Sequence, residues 1–77
     1  MTADEMFEEL GYKKVYENDV EILYQHKIRL LGDDFDFELL FCKIPKIFFH
    51  KDKRKVSIGI EVELLKAINK KVEELGW

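Results

Sequence analysis

The sequence predicts an α+β domain: an antiparallel β-meander of four to five strands, with a long C-terminal helix packed on one face and a short N-terminal helix. Three observations predict it. Apolar residues recur at helical spacing only near the two ends, and period-two alternation fills the middle. The motif Glu-Glu-Leu-Gly-aromatic also occurs twice, as FEELGY over residues 7–12 and as VEELGW over 72–77.

Thr2 followed by Glu5 is a capping-box signature, and Met6, Phe7 and Leu10 make a short apolar stripe that Gly11 ends. So short a helix does not persist alone in water and must be held by the rest of the fold. Tyr12 to Tyr16 and Val20 to Ile28 read as a hairpin about a Glu17-Asn18-Asp19 corner. Val20, Ile22, Tyr24, His26 and Ile28 share one face of its second strand, and Glu21, Leu23, Gln25 and Lys27 the other.

Gly32-Asp33-Asp34 is the next turn signal. Beyond it Phe35, Phe37, Leu39 and Phe41 alternate with Asp36, Glu38, Leu40 and Cys42, the clearest strand in the chain. Pro45 cannot donate to a ladder and fits a turn or the start of an edge strand. Ile47 to His50 reads as a fourth strand, Lys51 to Lys55 as a charged connection, and Val56 to Ile58 as an optional fifth strand. The last helix is expected from Ile60 or Glu61 to Leu75, capped by Ser57 or Gly59. Its inner stripe is Leu64, Leu65, Ile68, Val72 and Leu75, with Ala67 beside it; Lys66, Asn69, Lys70, Glu73 and Glu74 face out.

Both repeats then have one explanation. A glycine after the last apolar helical residue takes a left-handed conformation and lets the final carbonyls be satisfied. The aromatic that follows, Tyr12 or Trp77, folds back as a hydrophobic clasp. The acids of each last turn oppose the helix dipole and are expected to be solvated.

Seventy-seven residues make one domain, 1–77, and 47% apolar content is enough for a core without staples. Cys42 is the only cysteine, so no intrachain disulfide forms, and a lone thiol fits a reducing cytosol. No apolar run approaches the roughly 18 to 20 residues that span a bilayer, and the acidic start MTADEMFEEL is not a secretory leader. The expected location is cytoplasmic, with no membrane role. Charge is uneven along the chain of net charge −3: residues 1–42 hold eleven acids and four bases, whereas 43–60 hold six bases and one acid.

The opening TADEMFEELGYKK and the ending ELLKAINKKVEELGW resemble small uncharacterised proteins encoded by phages and prophages of low-GC Gram-positive bacteria. The resemblance covers roughly residues 2–16 and 63–77, and the centre, FELLFCKIPKIFF, is more apolar than is usual in such proteins. It implies an intracellular accessory protein of a mobile element that acts by binding, and it transfers no site residues.

The residues themselves offer little chemistry. His26 and His50, even with Cys42, lack close metal-ligand spacing and read as sheet residues. Cys42 beside Lys43 has no base to make it a nucleophile and reads as a small core thiol. Asp36 and Glu38 share a strand face, but so small a domain rarely forms the cleft a glycosidase needs. DDFDFE lacks the glycine and terminal glutamate of a calcium loop. No catalysis, cofactor, metal or small-molecule ligand is expected.

Two binding readings remain. A two-layer fold covers one sheet face and leaves Leu23, Leu40 and either Phe48 or Phe49 on the other, an interface for a second copy or for a host or phage protein. The edge strand near 46–50 is a second place for another chain to pair. The alternative is single-stranded nucleic acid on the basic segment 43–55, through Lys43, Lys46, Lys51, Lys53, Arg54 and Lys55, with Phe48 and Phe49 to stack on bases. The overall acidity of the chain opposes that alternative.

Overall fold

The computed structural model describes residues 1–52 and 59–77, apart from the side chains of 29, 30 and 33–35. The order is α1 (Ala3–Glu9), β1 (Lys13–Glu17), β2 (Glu21–Leu30), β3 (Asp33–Cys42), β4 (Ile47–Asp52) and α2 (Val62–Glu74). The four strands form an antiparallel sheet in sequence order. The α+β class, the meander and both helices are therefore as the sequence predicts. A fifth strand over 56–58, and Ser57 as a cap, fall outside the described residues.

Helix α1 begins with a complete capping box: Glu5 N–H donates to the Thr2 hydroxyl, and Thr2 N–H donates to the Glu5 carboxylate. Both helices end alike. Tyr12 N–H reaches the Phe7 carbonyl and Gly11 N–H the Glu8 carbonyl, with Gly11 at φ +94°. Trp77 N–H reaches the Val72 carbonyl and Gly76 N–H the Glu73 carbonyl, with Gly76 at φ +74°. These are two Schellman motifs, and the accompanying clasp is present at the first, where the Tyr12 ring meets Phe7 edge-on at 6.5 Å. At the second, Trp77 lies 6.3 Å from the Phe41 ring.

Helix α2 starts one or two residues later than expected, and its cap is Glu61 and not Gly59; the Glu61 side chain makes no cap hydrogen bond. Glu74 is exposed as expected, yet it is also tied to the other helix. Its carboxylate accepts from Ala3 N–H at 2.8 Å, so an acid that opposes the dipole of α2 complements the start of α1. The antiparallel contact of the helices makes that possible, which one helix read alone does not reveal.

Asn18 sets the first hairpin by accepting from both Val20 N–H and Glu21 N–H. The turn expected at Gly32-Asp33-Asp34 is tighter and earlier. Leu31 and Gly32 form it at φ +53° and +83°, and Asp33 already pairs with Leu30. Positive φ at both positions matches the twist of the flanking strands, and only Gly32 adopts it without steric cost. The Ile44–Pro45 peptide is cis, in the turn before β4.

One face of the sheet carries the core. Phe7, Ile22, Leu39, Phe41 and Ala67 are fully enclosed, and Tyr24 and Ile68 nearly so. Burying each large side chain stabilises the fold by about 1.5–3 kcal/mol. Lys71 is also buried, under the sheet side of α2, where Leu64 and Ile68 precede it at helical spacing. Its ammonium lies 3.5 Å from Asp4, and Asp4 also meets Lys14 at 3.1 Å and accepts from the Tyr24 hydroxyl. Burial raises the Asp4 pKa, but Tyr24, Lys14 and Lys71 together outweigh it and hold the carboxyl below its ordinary value. Asp4 thus ties α1 to β1, β2 and α2 through one side chain.

Candidate functional site

The face of the sheet opposite the core presents a row set by register. Tyr16 on β1 pairs with Leu23, Leu23 with Leu40, and Leu40 with Phe49. Strand neighbours stand about 4.8 Å apart, so these side chains lie shoulder to shoulder across all four strands. Phe49 is 45% exposed, Tyr16 37%, and Leu23 and Leu40 are half-buried by their neighbours. Cys42 and Ile47 extend the apolar band on one side, again as a register pair. Among the described residues both helices contribute their packed side chains to the other face.

Polar residues border the band. Lys13, Gln25, Glu38 and Lys51 form the next row, and Lys27 opposes Asp36 beyond it. Glu21 lies on the far side, where its carboxylate accepts from the Tyr16 hydroxyl. That bond raises the phenol pKa of Tyr16. Among the described residues this face carries three lysines (13, 27, 51) and three acids (21, 36, 38), whereas the whole chain is acidic.

Of the two phenylalanines named from the sequence, Phe49 is the one on the open face. Phe48 turns to the core and stacks on Phe41 with centroids 5.7 Å apart, so it is a packing residue and not a surface one. Adjacent strand residues point to opposite faces, and the pairing Phe41 with Phe48 decides which is which.

The basic segment is divided in the same way. Lys43 is 3.5 Å from Glu17, Lys51 sits over the Phe49 ring at 5.6 Å, and Lys46 is exposed. Lys53, Arg54 and Lys55 lie outside the described residues. Pairing β4 against β3 also sets Lys51 beside Glu38, so the acidic and basic stretches meet where they are adjacent.

A second feature occupies the end of the covered face beside the start of α2. Tyr12, His26, Phe37 and His50 surround a pocket of about 200 Å³. Their rings form a closed circuit: Tyr12 to His26 at 5.0 Å, His26 to Phe37 at 6.2 Å, Phe37 to His50 at 6.4 Å and His50 to Tyr12 at 6.2 Å. Leu10, Ile28 and Leu64 supply aliphatic walls, and Gly59 and Glu61 complete the lining. Gly11 lets the imidazole approach, since a Cβ there would stand 2.5 Å from His26 Nε2.

The Tyr12 oxygen and His50 Nε2 are 2.9 Å apart. Burial pushes the His50 pKa down, with the Gly59 backbone opposing, and pushes Tyr12 up to about 12, with Glu61 adding to the rise. His50 is thus held neutral, and its Nδ1 is enclosed, with no partner of hydrogen-bonding geometry among the described residues. The two histidines lie diagonally across β3, because His26 pairs with Phe37 and His50 with Leu39. Among the described residues no three histidine, cysteine or acidic side chains converge as a metal site. Cys42 is a free, half-buried thiol on the open face, not in the core where the sequence suggested it.

The sequence singled out both histidines but not their convergence with Tyr12 and Phe37. The one available signal was that His26 and Phe37 each fall on the apolar face of their own strand. Among the described residues no helix is long and apolar enough to cross a membrane. Comparison with protein-family models, curated proteins and solved structures gives no match at any of the three levels.

Proposed function

We propose that this chain works by adhesion and not by catalysis, and that its open sheet face is a docking surface for a second copy of itself. The observation that carries the reading is the row Tyr16, Leu23, Leu40 and Phe49, apolar and in register across every strand of the described sheet. A contiguous apolar patch on one side of a small domain marks an interaction site. The balance of three lysines and three acids among its described residues favours self-association, since two such faces meet without the repulsion that the net charge of −3 would give elsewhere.

The size of the face sets the strength. Four strands about 4.8 Å apart and about 20 Å long give a footprint on the order of 400 Å² per copy, below the ~800 Å² per partner of a standard interface. The expected dimer is weak, with a Kd of about 10–100 μM. The resemblance of both chain ends to phage and prophage accessory proteins fits a small protein that acts by binding, and the lone thiol fits the cytoplasm.

Sedimentation equilibrium between ~5 and ~500 μM tests this. The wild type is expected to move from monomer to dimer mass, and Leu40→Lys to remain monomeric while keeping its helix content and melting temperature. A wild type that stays monomeric throughout, or a variant that dimerises equally well, contradicts the reading.

A further inference from the structure

We propose that the pocket bounded by Tyr12, His26, Phe37 and His50 is a binding site for a small organic ammonium cation, with Glu61 as its counter-charge. The ring faces of Tyr12 and Phe37 carry negative quadrupole density, and such faces attract cations within about 6 Å of the centroid. Strand pairing sets His26, Phe37 and His50 side by side, and Tyr12 from the end of α1 closes a circuit of four rings at one cavity, with Tyr12 and Phe37 both on its lining.

The charge of the lining points the same way. Among the described residues no lysine or arginine lines the pocket, and Glu61 is the one carboxylate. Glu61 stands at the N-cap of α2, where its side chain makes no cap bond. The backbone amides at that helix end carry about half a positive charge, which the full charge of Glu61 exceeds.

Size and polarity narrow the ligand further. At about 30 Å³ per water-sized group, 200 Å³ holds roughly seven heavy atoms. Leu10, Ile28 and Leu64 offer apolar surface to methyl groups, while the cation faces rings and carboxylate. The Tyr12 hydroxyl and His50 Nε2 already partner one another, so the recognition is by charge and ring faces more than by hydrogen bonds. Because the pocket lies on the covered side of the sheet and the docking row on the other, either site stands or falls without the other.

Choline and 3,3-dimethylbutan-1-ol, its uncharged isostere, separate charge recognition from shape in a titration followed by amide chemical shifts. Choline is expected to shift Gly59, Leu64 and His26 with a Kd of about 1 mM at low salt, and the alcohol to bind at least ~5-fold more weakly. Glu61→Gln, a change at an exposed position, is expected to weaken choline ~5-fold and leave the alcohol unchanged. Equal binding of the two probes, or no shifts with ~50 mM choline, overturns the proposal without any variant. So does undiminished choline binding by Glu61→Gln.

Discussion

The two faces of β3 differ far more in what covers them than in what they are made of. Phe37, Leu39 and Phe41 point one way, Glu38, Leu40 and Cys42 the other, from one continuous strand. Leu39 and Leu40 are adjacent residues of one type, yet Leu39 is fully enclosed on the helical side and Leu40 is half-buried on the other. The strand thus carries more apolar surface than its own core uses. In a chain whose stability margin is small, leucine and phenylalanine left on an open face are better explained by a partner than by folding.

Truncation of the two leucines measures that contrast most strongly. Leu39→Ala leaves a cavity beneath both helices and is expected to cost about 2–4 kcal/mol in chemical denaturation. Leu40→Ala is expected to cost under ~1 kcal/mol in dilute, monomeric protein, since less surface is removed from burial and no closed cavity forms. Equal losses would erase the difference between the faces.

A smaller effect sharpens the picture of the covered face itself, whose open end holds neutral His50 against Tyr12. The folded-state pKa of His50 is depressed, so the unfolded chain takes up the proton first as acidity rises. The stability contribution is complete above the ordinary value of 6.5 and is lost as pH falls from there through the lower folded value. Melting temperatures of the wild type are expected to decline between pH 7 and 5, and His50→Gln to flatten part of that decline. Parallel profiles for the two proteins would mean that the imidazole does not titrate against folding.

Much of this was legible one element at a time. The capping box at Thr2, the glycine endings at Gly11 and Gly76, and the alternation of residues 35–42 follow from local physics, because each depends on neighbours within a few positions. Register and helix docking lie beyond that range. Lys71 looks like an exposed helical lysine until Asp4, on another helix, is brought beside it. Glu74 is exposed as its spacing suggests, but its partner, the Ala3 amide, was hidden for the same reason, since it belongs to the other helix. Sequence restricted the outward-facing phenylalanine to Phe48 or Phe49, and only the pairing of β3 with β4 selects Phe49. The four-ring pocket was the least legible, as its members come from three strands and a helix ending whose separations in sequence carry no periodic signal.

Isotope-filtered NOEs in a mixture of methyl-labelled and unlabelled chains test the central claim most directly. At ~1 mM, intermolecular contacts are expected from the methyl groups of Leu23 and Leu40 to the rings of Phe49 and Tyr16 of another copy. Contacts arising only from residues of the covered face, or none between copies at that concentration, would contradict it.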